Sequence, residues 1–110
     1  MAIKPLHGIR VLDLTNVLAG PFACHQLAHR GADVIKVEAR GTGDLARQLG
    51  ADHGLNQADM GVSFLAQNPG KRSITLNLKH AKGKEVLRRL VRSAFFEFIY
   101  CFSKVLSYCP

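Results

Sequence analysis

The sequence predicts an α/β fold, an open parallel sheet that starts with a βαβ unit. Three observations carry this. Residues 9–14 and 34–38 are short runs rich in branched apolar side chains. A helical pattern lies between them, bounded by Pro21 and Gly31. The joins are brief, so the two strands pair in parallel through a crossover helix.

Ile9-Arg10-Val11-Leu12-Asp13-Leu14 alternates and reads as the first strand. Thr15 to Gly20 break that pattern. Pro21 then fits the first turn of a helix, where its missing N–H costs nothing. Phe22, Ala23, Gln26, Leu27 and Arg30 continue at helical spacing, and Gly31 stands where a left-handed cap ends a helix. Val34-Ile35-Lys36-Val37-Glu38 is the second strand. Residues 40–60 are polar and contain four glycines, so they read as a loop, with one helical turn near Leu45 to Leu49. Residues 62–66 suit either a short strand or a helix. Pro69-Gly70 marks a turn. Ser73-Ile74-Thr75-Leu76-Asn77-Leu78 alternates again, with Ile74, Leu76 and Leu78 on one face. A helix over residues 81–94 follows. Its Leu87, Leu90, Val91 and Ala94 form one stripe, and Lys84, Arg88 and Arg92 another. Together these elements make a partial Rossmann-like open sheet.

Length and composition narrow the function classes. The chain has 110 residues, 47% hydrophobic and 21% charged, the composition of one soluble globular domain. No apolar run is long enough to cross a membrane, the N-terminus lacks a signal-peptide pattern, and a reducing cytoplasm is the expected compartment. Cys24, Cys101 and Cys109 have no disulfide or zinc spacing. The net charge of +7 favours anionic partners. Eight basic residues and one acidic residue lie between Lys71 and Arg92. A solvated helix face beside a basic loop produces the same pattern. A nucleic-acid module would need aromatics interleaved with those charges, and none are there.

The βαβ start invites a dinucleotide reading, with Glu38 where a ribose-binding acid would stand. The first turn opposes it, because Thr15-Asn16-Val17-Leu18-Ala19-Gly20 holds one glycine where the fingerprint needs three. Gly70-Lys71-Arg72-Ser73 is like the end of a P-loop, but its strand lies on the wrong side. The first turn does offer backbone N–H groups ahead of a helix, a setting for anions. Cys24 falls inside the helix and reads as packed. His25 and His29 share a helical face but lack a third ligand, so no metal site is expected. His7 and His53 receive no role.

Four blocks in order carry a resemblance. They are Gly8-Ile9-Arg10-Val11-Leu12-Asp13-Leu14-Thr15 with Leu18-Ala19-Gly20-Pro21, then Gly31-Ala32-Asp33-Val34-Ile35-Lys36-Val37-Glu38, then Gly41-Thr42-Gly43-Asp44. The last is Asn68-Pro69-Gly70-Lys71-Arg72-Ser73-Ile74-Thr75-Leu76-Asn77-Leu78-Lys79. The chain resembles the N-terminus of the family III CoA-transferases over about 90 residues. The resemblance implies a transferase that moves CoA between carboxylic acids through an aspartyl intermediate, using acyl-CoA as substrate and no permanently bound cofactor. It also implies an open α/β large domain, a smaller domain and an interlocked homodimer, with no membrane or nucleic-acid partner. Carried over residue by residue, the CoA contacts fall on Val17, Leu18, Ala19, Arg40, Leu76, Asn77, Leu78 and Lys79. Leu18 stands where formyl-CoA transferases have glutamine. Ala39 takes the place of an expected arginine, which Arg40 replaces one position later.

The last sixteen residues read differently. Residues 95–110 hold six of the eight aromatics and two of the three cysteines. One reading is a buried strand at 96–100 that closes the sheet. The sharper one divides the chain into residues 1–94, the N-terminal part of the family's domain, and a divergent tail, 95–110, from a frameshift, rearrangement or cloning junction. No aspartate here matches the family's nucleophile, so the expectation is an inactive fragment. A stand-alone CoA- or nucleotide-binding module is the alternative.

Overall fold

A computed structural model describes residues 2–94, and the backbone alone of 96–98. Its strands are β1 (Arg10–Asp13), β2 (Asp33–Ala39), β3 (Arg72–Leu76) and β4 (Phe96–Phe98). Its helices are α1 (Ala19–His29), α2 (His53–Gln57), α3 (Val62–Gln67) and α4 (Ala81–Arg92), with a single 3-10 turn at Leu45–Gln48. The strands form one sheet in the order β3-β2-β1-β4, and every neighbouring pair is parallel. This is the order of a nucleotide-binding half of a doubly wound fold. The expected α/β class and open parallel sheet are therefore observed.

Local chemistry accounts for the element ends. Pro21 is the third residue of α1, inside the first turn. Gly31 lies just past α1 at φ +102°, a left-handed backbone that glycine adopts without a side-chain clash. Asp44 caps the 3-10 turn by accepting from the Ala46 N–H, and Asp52 caps α2 by accepting from Leu55 N–H. His80 caps α4 through its ring Nδ1, which accepts from the Lys82 N–H.

The core lies against α1. Val11 and Val34 on neighbouring strands pack with Cys24 and Ala32, and Leu27 and Ala28 close over them. Alternation turns Leu12, Ile35 and Val37 to the opposite face, and all three are buried. The segment 62–66, open between strand and helix in the sequence, is helical. The loop expected at 40–60 needs correcting, because it also holds α2, whose five residues contain no apolar repeat long enough to announce a helix. The strand expected over 73–78 ends at Leu76, so Asn77, Leu78 and Lys79 follow it. The expected strand at 96–100 is present as β4 over 96–98, paired with Val11 to Asp13, and the other residues of the 95–110 segment lie outside the described residues.

Gly83 is the third residue of α4, in its first turn, and is pressed against the loop after β3. A Cβ there would fall 2.0 Å from the Asn77 carbonyl oxygen. Alanine at an open helix position gains about 1 kcal/mol over glycine. At this position the sign reverses: Gly83→Ala is expected to destabilise the chain by about 1–3 kcal/mol, the usual cost of overpacking. Urea denaturation of the two proteins checks this, and a more stable variant would contradict the close approach.

Candidate active-site edge

The C-terminal ends of β1, β2 and β3 lie side by side, and in open α/β sheets this edge is where ligands bind. Asp13 is the last residue of β1, registered beside Lys36 of β2, which is registered beside Ser73 of β3. Charged side chains are thus brought into the sheet at the edge, and each is neutralised by a neighbour.

Two buried ion pairs organise it. Lys71 Nζ lies 2.7 Å from Asp13 Oδ2, and also donates to the carbonyl of Pro21 and Oδ1 of Asn68, both at 2.8 Å. Lys36 Nζ lies 2.8 Å from Asp44 Oδ2 and donates to the Thr15 carbonyl at 3.0 Å. That Asp44 oxygen has no other partner of hydrogen-bond geometry among the described residues, so Lys36 is its counter-charge. The two pairs adjoin, with Lys36 Nζ 4.0 Å from Asp13 Oδ2. Two carboxylates and two ammonium groups sum to zero, which is what allows four ionised groups to be buried. The other Asp13 oxygen accepts from both the Thr15 N–H and hydroxyl.

These contacts shift the groups' acidities. Burial pulls the Lys71 ammonium down from its ordinary value, against the opposing pull of Asp13. Burial pushes Asp44 up, but Lys36 and the N–H groups of Ala46 and Val17 outweigh it and hold the carboxyl low. Burial, reinforced by Asp13, pushes the Cys24 thiol up to about 12, which removes it as a nucleophile.

A second cluster flanks the first. Arg47 forks onto Glu38 with two 2.7 Å contacts, and its guanidinium also lies 3.8 Å from the centre of the Phe64 ring. Glu38 accepts further from the Asp44 N–H and the Ser73 hydroxyl. Burial pushes Glu38 up, yet Arg47, Ser73 and the Asp44 N–H bring its carboxyl down to about 2. The acid considered for ribose binding is therefore spent on holding the 40–60 loop to the sheet.

The eight candidate contact residues fall in three places on the same edge. Val17 and Leu18 end the turn between β1 and α1 and Ala19 opens α1; Leu18 is 60% exposed. Arg40 is exposed just after β2. Leu76 ends β3, and Asn77, Leu78 and Lys79 follow, with the Lys79 N–H donating to Asn77 Oδ1 at 3.1 Å. The three places lie at adjacent strands, β1, β2 and β3. The first-turn N–H groups expected to be free for an anion are partly taken, since Val17 N–H donates to Asp44 Oδ1 and Leu18 N–H to the Asn16 carbonyl. No group of three or more His, Cys, Asp or Glu side chains that could hold a metal ion is found among the described residues. The His25 Nδ1 lies 3.1 Å from the Pro69 carbonyl.

Sequence reasoning missed the buried pairs. Their signal was present in the lysine and aspartates inside otherwise apolar strands, Lys36 between Ile35 and Val37 and Asp13 between Leu12 and Leu14. A charge at an inward strand position demands a partner.

A parallel sheet with loops gathered at its C-terminal edge defines an open α/β domain. Comparison with known proteins is more specific. The model of CoA-transferase family III matches residues 6–94, and the chain belongs to that family. It is 50% identical over 90 residues to the formyl-CoA:oxalate CoA-transferase of Afipia carboxidovorans, covering 82% of this chain and 20% of that one. It is 44% identical over 89 residues to the succinyl-CoA:glutarate CoA-transferase of Mus musculus, covering 81% and 20% respectively. Among solved structures, Rv3272 from M. tuberculosis superposes with a TM-score of 0.78 at 37% identity, covering 96% of this chain and 26% of that one. A CAIB/BAIF family protein from Brucella suis gives 0.73 at 36% identity, covering 87% and 25%. The chain spans about a fifth of the length of the curated relatives it matches.

Two outcomes are expected at this edge. Lys71→Met leaves Asp13 buried without its closest counter-charge and should cost about 3–5 kcal/mol in urea denaturation; a cost below about 1 kcal/mol would show that the pair is not the edge's anchor. The second concerns pH. The Glu38 carboxyl drops from 4.5 to about 2, so the stability it contributes is present above pH 4.5 and is lost as the pH falls toward 2. Glu38→Gln should lower stability at neutral pH and flatten the stability profile between about pH 5 and 2, as followed by thermal melts across that range.

Proposed function

We propose that this chain supplies the CoA-binding edge of a family III CoA-transferase, an enzyme that moves CoA between carboxylic acids. One observation carries the reading. Val17, Leu18 and Ala19, then Arg40, then Leu76, Asn77, Leu78 and Lys79 all stand at the C-terminal ends of three adjacent parallel strands. CoA is long and polyanionic, so it suits an edge several strands wide. Exposed Arg40 and Lys79 are the phosphate partners there, and exposed Leu18 offers apolar surface to the adenine or pantetheine part. The relatives' names specify different acids, oxalate and glutarate, and both are CoA-transferases. The common element, CoA, is what this segment is assigned to hold.

The chain itself is read as inactive. The family resemblance implies an aspartate that attacks the acyl-CoA thioester to form a mixed anhydride and release CoA; the CoA thiolate then attacks the aspartyl carbonyl, expelling the donor acid and leaving an aspartyl-CoA thioester for the acceptor acid. Each of the five aspartates is already engaged. Asp13 and Asp44 are buried in ion pairs, and Asp33 accepts a fork from Arg72. Asp52 caps α2, and Asp59 accepts from Gln48. Asp52 and Asp59 are exposed, so burial does not carry this reading; it rests on the resemblance, in which no aspartate of this chain matches the family's nucleophile.

Calorimetric titration of the 110-residue chain with CoA tests the binding reading. Saturable binding is expected, weakened by salt. Lys79→Ala should weaken it by about tenfold, the equivalent of one phosphate contact of roughly 1.4 kcal/mol. No heat at millimolar CoA would overturn the reading. Transfer of CoA between acids by the chain alone would overturn its inactivity.

A further inference from the structure

Val17 has φ +71°, a left-handed backbone that a β-branched residue adopts only when its surroundings impose it. Two sets of contacts bear on it: the Leu18 N–H closes a three-residue turn about Val17 on the Asn16 carbonyl at 3.1 Å, and Asp44 holds that turn from outside. The Val17 N–H donates to Asp44 Oδ1 at 3.0 Å across 27 residues of sequence. The same oxygen accepts from the Ala46 N–H at 2.9 Å, which fixes the carboxylate relative to its own loop. The other Asp44 oxygen is held by Lys36 at 2.8 Å, and Lys36 in turn donates to the carbonyl of Thr15, two residues before Val17. Asp44 and Lys36 are both almost wholly buried. The pair therefore grips the β1–α1 turn from both sides of Val17, through a carbonyl at 15 and an N–H at 17. Leu18 follows directly, with its side chain turned out to solvent.

We infer that Asp44, with Lys36 as its buried counter-charge, is a positioning residue that holds Val17 in the left-handed conformation and so sets the path of Leu18 and Ala19. The inference rests on the CoA-binding reading of that turn, and it deepens it by naming the device that shapes the turn. Gly41-Thr42-Gly43-Asp44 then has a physical role. Gly43, at φ +65°, lies where a Cβ would come within 2.9 Å of Glu38 Oε1, so only glycine lets the loop press Asp44 in against the sheet. Neither Asp44 nor Lys36 is a catalytic residue here, because each acts through the backbone of the turn.

The test uses the full chain and two independent readouts. The first is NMR of the labelled protein: Val17 backbone shifts report the sign of φ, and its amide exchange reports the bond to Asp44. In the unmodified chain, left-handed shifts and a protected amide are expected. Asp44→Ala alone would strand Lys36 in the interior, so the informative variant is Asp44→Ala combined with Lys36→Met, which removes both charges together. In it the Val17 amide should lose at least tenfold in protection, its shifts should move to the extended region, and CoA affinity should fall at least fivefold. Asp44→Asn, which keeps an acceptor at Oδ1, should retain the Val17 signature and serves should the double variant not fold. The second readout is a stability cycle. Removing Asp44 should shift the urea midpoint less when residue 17 is glycine, which adopts positive φ unaided, than when it is valine. A purely structural ion pair would give equal shifts in the two backgrounds. An unchanged Val17 signature without Asp44, or equal shifts, overturns the inference. If the unmodified chain binds no CoA, the functional reading fails, and the Val17 signature and the cycle still decide the positioning role.

Discussion

The structure at the sheet's C-terminal edge depends on four buried charges that cancel. Asp13 is paired with Lys71, and Asp44 with Lys36, and the two pairs adjoin through Lys36 and Asp13. Burying any of the four charges without its partner would be costly. Each pair also joins elements far apart in sequence. Lys71 ties the turn before β3 to the end of β1 and the first turn of α1. Lys36 ties the middle of β2 to the loop at 44 and the turn at 15. Apolar packing of α1 on the sheet places these elements together, but it is nondirectional. The ion pairs, with their fixed donors and acceptors, decide where the loop backbones run.

That division explains why the edge is rich in charge while the core beside it is not. Val11, Val34, Cys24 and Ala32 form an ordinary apolar cluster under α1. Moving along the same face toward the strand ends, Asp13, Lys36 and Glu38 replace the valines. A sheet edge left apolar would give the loops no defined seat. Here the Glu38–Arg47 fork, Ser73 and the Asp44 N–H fasten the segment after β2, and Arg47 carries the attachment on to Phe64 of α3. The residues assigned to CoA contribute little to this framework. Leu18, Arg40 and Lys79 are exposed and rest on a scaffold built by other side chains. Family membership fits that arrangement, since relatives named for different acids share this segment at 44–50% identity.

Much of the fold was legible because it is written in short-range patterns. Alternation marks β1 and β3, a short branched apolar run marks β2, helical spacing marks α1 and α4, and Pro21 and Gly31 mark where α1 starts and stops. Helix α2 was not legible: five residues are too few for a period, and its cap at Asp52 is the only local sign. Residues 62–66 were ambiguous for the same reason. The candidate contact residues were legible only through resemblance to a family, because Leu76 and Leu78 have the same alternation whether they face a core or a ligand.

The sequence by itself determined the α/β class, the βαβ start and the family. These rest on local periodicity and on ordered motifs, which need no knowledge of distant contacts. Only the tertiary structure decided the strand order, with β4 beside β1, and the partners of Asp13, Lys36, Asp44 and Lys71. It alone decided that Val17 takes a left-handed backbone. The reason is physical: a buried charge signals in sequence that it must be paired, but its partner is chosen by which loops the folded sheet brings within 3 Å, and here those lie 8 and 58 residues away.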